Sequence, residues 1–202
     1  YEKIKDRIVM RLINKEANQK ILKDAPYICF YDLAIVFHVL VELDEQRDRM
    51  ATMLIKKEYL EWWNLSVEKM YELAMFNTEK LLPAEMSTMF MVIEKIFPEW
   101  DHLNMDSDDD FMYILTNNRK SFGACAMLYP HRLEMIGEYL KESFYILPSS
   151  VHEVIILPES KAVSKNELNQ IIHEINCTQV PEEEVLSDNA YFYDIFLKRI
   201  VM

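Results

Sequence analysis

Two short apolar runs flank a segment dense in reactive side chains, Leu147-Pro148-Ser149-Ser150-Val151-His152-Glu153-Val154-Ile155-Ile156-Leu157-Pro158. It places two hydroxyls, an imidazole and a carboxylate within five residues. Nucleophilic catalysis needs a hydroxyl beside a base that a third group orients. Ser150 and His152 are two apart, so an extended strand would turn both side chains to one side. The candidate site is therefore Ser149, Ser150, His152 and Glu153. Two other readings compete with hydrolase or transferase chemistry. The cluster can hold a ligand or partner, or the serines can cap a turn through the backbone while His152 satisfies a buried polar position. A triad normally converges from separate elements, so the turn is preferred and no catalytic residue is assigned.

Other constellations are weaker. Asp106, Asp108, Asp109 and Asp110 could attract a hard cation, but a calcium loop counted from Asp106 needs Gly at its sixth position and Glu at its twelfth. The chain has Phe111 and Asn117 there, so a solvated loop is expected. His38 reads as a core or edge histidine. His102, His131 and His173 are taken to share no HExxH or i, i+4 spacing with another ligand, so no metal site is predicted. Trp62 and Trp63, beside Tyr59, could form an exposed aromatic patch, although helical spacing should bury at least one of them. The methionines at 86 and 89 read as core.

Only two glycines occur, Gly123 and Gly137. Phosphate-cradling loops need several so that backbone N–H groups can approach the ligand, which removes the Walker loop and the dinucleotide fingerprint. No cofactor is expected. A GxSxG nucleophile elbow is also missing. Three cysteines, Cys29, Cys125 and Cys177, are widely spaced without a CxxC pair. Each lies in an apolar stretch and reads as a small buried hydrophobe in a reducing, cytoplasmic compartment.

The chain's 202 residues suit one domain, or two lobes (1–97 and 111–202) joined by the acidic loop 98–110. With 34 acidic against 22 basic residues the net charge is −12, and the densest basic runs are the pairs Lys56-Lys57 and Arg119-Lys120. Nucleic acid and anionic membrane would be repelled by that field. Mimicry of DNA phosphates would require the acids to line one face. The longest apolar stretch, Leu33 to Leu43, has 11 residues and includes His38 and Glu42, so no membrane span or signal peptide is expected. Tyr1 begins inside a helical pattern and without an initiator Met, which suggests further sequence ahead of it.

The periodicity predicts a helix over 2–23, strands over 27–31 and 34–42 about a break at Asp32, and a strand over 50–55 leading into a helical turn. Ser66 should cap a helix running to Asn77, with Leu65 and Met70 as its staple. A helix over 86–97 follows. Strands are predicted over 111–116, 124–129, 144–147 and 153–157. Pro130 should open a helix bearing Leu133, Ile136 and Leu140. Ser164 to Glu167 is a capping box before Leu168, Ile171, Ile172 and Ile175, and the aromatic tail can add a strand. Residues 51–61 align without gaps on 124–134, a short internal echo in which both copies read as a strand running into a helix.

LPSSVHEVIILP, with ILTNN and GACAMLY upstream and INCTQVPEEEVLSDNAYFYD downstream, resembles a bacterial family, domain of unknown function 5688. DLAIVFHVLVE and ELAMFNTEKLLP extend the resemblance to nearly the whole chain. It implies a cytosolic protein, often encoded on mobile elements, with further N-terminal sequence and no assigned activity, so no site residues carry over. The fold expected from the residues is α+β, antiparallel strands in one sheet or two small sheets packed against amphipathic helices. The function expected is a non-enzymatic module binding a protein or small-molecule partner, with hydrolysis at 149–153 as the alternative.

Overall fold

The computed structural model describes residues 1–44, 49–96, 111–148 and 150–201. Its longest strand, β3 (Leu33–Asp44), buries Leu33, Ala34, Ile35, Val36 and Phe37 in succession, as a strand covered on both faces must. On one edge β1 (Ile8–Asn14) pairs antiparallel along its length, with Ile8 opposite Val39 and Asn14 opposite Leu33. The other edge is shared. β2 (Tyr27–Phe30) takes Leu33 to Val36, and β4 (Arg49–Leu54) takes His38 to Asp44 across a bulge between Leu40 and Glu42. The tight β2–β3 connection pivots on Tyr31, whose φ is 53°.

β1 takes the middle of the helix expected over 2–23. That stretch instead holds a 3-10 turn (Lys5–Arg7), β1, and the short helix α1 (Gln19–Asp24), which stops before Pro26 as anticipated. Ile8, Val9, Met10 and Leu12 are buried in sequence. A strand buried on both faces need not alternate, and its apolar positions matched a helical period by coincidence.

The helices α2 (Lys57–Trp63) and α3 (Val67–Leu81) follow β4. Ser66 Oγ accepts the Lys69 N–H, so the cap is as read, but α3 continues to Leu81. It stays helical past Asn77 because Asn77 and Thr78 are bonded to the first sheet. Asn77 Nδ2 donates to the carbonyls of Lys5 and Ile8 at 2.7 and 3.0 Å, and Met10 N–H donates to Thr78 Oγ1 at 2.9 Å. The outer edge of β1 is thereby satisfied by a helix. Trp62 is 71% exposed while Trp63 packs on the core.

The second sheet has six antiparallel strands in the order β10-β9-β7-β8-β6-β5: β5 (Ala84–Thr88), β6 (Tyr113–Asn117), β7 (Phe144–Leu147), β8 (Val154–Pro158), β9 (Tyr191–Asp194) and β10 (Arg199–Val201). Met86 therefore lies in β5, ahead of α4 (Met89–Ile96), not in one continuous helix. The strand expected over 124–129 is a 3-10 helix (Gly123–Leu128), turned out of extension at Phe122 (φ 52°) and buried from Gly123 to Met127. Hence the echo at 51–61 has no structural counterpart there, since Ala51 to Leu54 are in β4. Pro130 does not open α5 (Arg132–Leu140), because His131 intervenes with φ 59°. In α6 (Lys165–Gln179) the capping box forms, and the buried face is Leu168, Ile172 and Asn176, leaving Ile171 and Ile175 exposed.

One hydrophobic cluster contains Leu12 and Phe37 of the first sheet together with Phe144, Ile146 and Tyr191 of the second. The fold is α+β with two antiparallel sheets. Loop 98–110, including Asp106, Asp108, Asp109 and Asp110, and His102 lie outside the described residues. Among the described residues no helix is long and apolar enough to cross a membrane.

Candidate functional site

Ser150, His152 and Glu153 lie in the connection from β7 to β8, and Ser149 is outside the described residues. The connection is not an extended strand. Ser150 makes an isolated bridge to Val185, and the chain bends at Val151 and His152 before β8 begins. Ser150 Oγ accepts the backbone N–H of His152 at 3.1 Å, a local serine turn. The imidazole looks elsewhere. Its Nδ1 accepts the Phe122 N–H at 3.2 Å, and its Nε2 lies 3.3 Å from Glu184 Oε1. With Nδ1 an acceptor, the proton of a neutral ring sits on Nε2 and donates to Glu184. Neither nitrogen then has a lone pair free to take a serine proton.

The corner is fixed from every side. His152 O accepts from Thr116 Oγ1 at 2.8 Å, Val151 N–H donates to Glu184 O at 2.9 Å, and Ala124 N–H donates to Val151 O at 3.2 Å. The imidazole leans on the Phe122 ring at 5.2 Å, and the Arg11 guanidinium lies over that ring at 3.4 Å from its centroid. Burial lowers the Arg11 pKa to about 10. Glu153 is half-buried with no hydrogen bond or ion pair among the described residues. The carboxylate that meets His152 is Glu184, thirty-two positions away in sequence, and proximity in sequence pointed to the wrong acid.

A cleft lies elsewhere, at the open end of the first sheet. Its volume is about 660 Å³, and Lys15, Lys23, Lys57, Tyr27, Tyr31 and Asp32 are among its lining residues. Lys57 Nζ donates to the carbonyls of Leu22 and Lys23 at 3.3 and 2.7 Å, tying the start of α2 to the end of α1. Lys15 and Lys23 make no ion pair among the described residues. Asp32 is held from behind: Tyr191 Oη donates to Oδ1, while Ser187 Oγ and Asn189 Nδ2 donate to Oδ2 at 2.5 and 3.0 Å. Burial first, and the Asp32 bond second, push the Tyr191 phenol well above its usual range. Tyr31 Oη donates to Ile200 O at 3.0 Å and its ring sits 5.5 Å from that of Tyr191. No sequence motif marks this cleft, because its residues come from two loops, two helices and strand β2.

A model of a family of unknown function, DUF5688, matches residues 1–195 of the chain. The chain belongs to that family. Comparison with curated proteins and with solved structures gives no match. The family thus supplies no chemistry, and the arrangement of this chain's own residues has to carry the functional reading.

The remaining sequence candidates separate cleanly. His38 is a half-buried histidine of β3: Nδ1 lies 3.2 Å from Thr52 Oγ1, and burial, with Arg11 nearby, brings its pKa down to about 3. Cys125 is buried, with its thiol pushed up to about 12 by burial, whereas Cys29 and Cys177 are exposed and do not behave as the buried hydrophobes expected. His173 does share an i, i+4 spacing, with Cys177, and the two side chains meet.

Proposed function

We propose that this chain is a ligand-binding module of a bacterial cytoplasm, and that the cleft bounded by Lys15, Lys23, Tyr27, Tyr31, Asp32 and Lys57 takes a small organic anion. The observation that carries the reading is local charge reversal. In a chain of net charge −12, three ammonium groups line one cleft against Glu16 and Asp32. Both Asp32 oxygens already accept hydrogen bonds from Ser187, Asn189 and Tyr191, and Lys57 is partly spent on carbonyls. Lys15 and Lys23 are the cations left for an anionic head, and Tyr27 and Tyr31 supply apolar surface for its body. The free cysteines fit a reducing compartment.

Titration calorimetry with phenyl phosphate, benzoate and inorganic phosphate tests this. Phenyl phosphate and benzoate should bind, and phenyl phosphate should bind more tightly than inorganic phosphate, which lacks a ring for the tyrosines. Charge-assisted hydrogen bonds are worth about 1.5–3 kcal/mol each, so the Lys15→Gln/Lys23→Gln variant should lose at least about tenfold in affinity. Absence of binding by all three probes at millimolar concentration, or equal affinity in the variant, would overturn the reading. Hydrolysis at Ser150 is the less favoured alternative, because it asks His152 for a nitrogen that Phe122 and Glu184 both leave unavailable as a base.

A further inference from the structure

His173 and Cys177 stand one turn apart on α6, which brings their side chains to the same flank of the helix. His173 Nε2 lies 3.6 Å from Cys177 Sγ, and His173 Nδ1 lies 2.9 Å from Asp188 Oδ2. The other oxygen of Asp188 accepts from Asn176 Nδ2 at 2.7 Å, and the same amide group donates to Ser187 O at 3.1 Å. Asn176 is only 6% exposed, so the carboxylate is aimed from a buried anchor. A thiol, an imidazole and a carboxylate thus stand in series, the order in which a base activates a nucleophile while a third group orients the base. Asp188 accepts, which puts the ring proton on Nδ1 and turns the Nε2 lone pair toward the thiol.

The position on the helix narrows the chemistry. α6 ends at Gln179, so Cys177 sits in its last turn, where the unpaired backbone groups are carbonyls and the N–H groups are consumed within the helix. No set of N–H donors is presented for a tetrahedral oxyanion, which acyl transfer requires. Attack on sulfur develops no oxyanion. We propose that Cys177 is a nucleophilic thiol that exchanges with low-molecular-weight disulfides, with His173 as its base and Asp188 as a positioning residue.

The step balances without another reagent. Cys177 gives its proton to His173 Nε2 as Sγ attacks one sulfur of R–S–S–R. The new Sγ–S bond forms as the old S–S bond breaks, and the departing thiolate takes the proton from the imidazolium to leave as R–SH. The Cys177 sulfur is oxidised and the departing sulfur is reduced. Asp188, from the segment before β9, bonds the base, and Glu174 of α6, whose carboxylate accepts from Gln170 Nε2 at 3.1 Å, lines a shallow cavity with His173 and Cys177. A cationic disulfide is therefore preferred over an anionic one.

The experiment mixes the full chain with cystamine or oxidised glutathione and follows each mixed disulfide by peptide mass mapping. Exposed Cys29, for which no His contact is found among the described residues, is the internal clock. Base assistance should make Cys177 react at least about ten times faster than Cys29 at neutral pH. Cystamine should outpace oxidised glutathione at Cys177. His173→Gln should bring Cys177 down to the Cys29 rate, with Cys29 unchanged as proof that the fold persists. The shape of its rate–pH curve should also change from that of the wild type, which loss of a merely structural histidine would not bring about. Asp188→Asn should fall between. Equal rates at Cys29 and Cys177 in the wild type, or an undiminished Cys177 rate in His173→Gln, overturns the proposal.

Discussion

Gly123→Ala is the sharpest test of the corner that holds His152. A Cβ at 123 would lie 2.2 Å from Thr116 Oγ1, 2.6 Å from the Asn117 backbone nitrogen and 2.6 Å from the His152 carbonyl oxygen. Two of those atoms are backbone in different segments and cannot swing aside. Rotating Thr116 away breaks its 2.8 Å bond to His152 O and leaves that carbonyl without its hydroxyl donor. Overpacking costs about 1–3 kcal/mol and a lost buried hydrogen bond about 1–3 kcal/mol, so about 3 kcal/mol is expected. For a chain of this size that is about 6–12 °C in Tm. Gly137→Ala is the matched control. Its Cβ would meet no backbone atom, only side chains, nearest the Ile195 branch methyl, Cγ2, at 2.8 Å, a contact that part of the roughly 1 kcal/mol gain of Ala over Gly inside a helix offsets. The control should stay within about 3 °C of the wild type. Calorimetric melting decides. If Gly123→Ala melts within about 2 °C of the wild type, or no lower than the control, the corner is not the close-packed junction described.

Three further outcomes follow from single residues. His38 is neutral in the fold, with a pKa near 3 against 6.5 for the free group, so the unfolded chain takes up a proton first and stability falls as pH drops from 6.5 toward 3. His38→Gln should flatten the loss of stability between pH 7 and pH 5 by about 1–2 kcal/mol, and parallel melting curves for the two proteins would refute this. Asp32→Asn turns an amide donor toward groups that all donate to Asp32, so it should cost about 2–3 kcal/mol in urea unfolding; a midpoint equal to wild type would show that the hub carries no stability. Iodoacetamide should label Cys29 and Cys177 in the native protein but reach Cys125 only on unfolding, because its S–H, 3.3 Å from Phe122 O, is buried; rapid native labelling of Cys125 would contradict that placement.

The sequence was readable where one local rule governs. Asp32 broke the apolar run 27–43 where two strands meet, and Ser164 with Glu167 announced α6 because a capping box closes within one turn. It misled where the partner is remote. β1 looked helical because both its faces are covered, Ile8, Met10 and Leu12 in the main core and Ile13 in the cluster that holds Leu22, which erases the alternation of a half-buried strand. Ala124 to Leu128 are apolar because they are enclosed by the first sheet and β6, and enclosure does not specify strand over 3-10 helix. In α6 the fourth turn buries Asn176, not an isoleucine, since the amide has Ser187 and Asp188 to bond. The Ser150–Glu153 cluster was visible as composition, but what its imidazole can do depends on Phe122 and Glu184, which no spacing links to it.

The segment Ser187-Asp188-Asn189 shows why such sites escape a linear reading. Its outer two residues face Asp32 across the cleft floor, while the middle one faces His173 and Asn176 on α6. The backbone bends at Asp188, which turns its carboxylate away from the side chains on either side. Ser187 Oγ accepts the Asn189 N–H at 2.9 Å, a serine turn that holds the bend, and the Asn169 side chain accepts the Ala190 N–H at 2.8 Å beyond it. Read alone, Ser-Asp-Asn is an ordinary turn tripeptide. Its assignment to two clusters on opposite sides follows only once β9 is fixed beside β7 and α6 is laid across the same chain, so the polar geometry of this protein is a consequence of its packing.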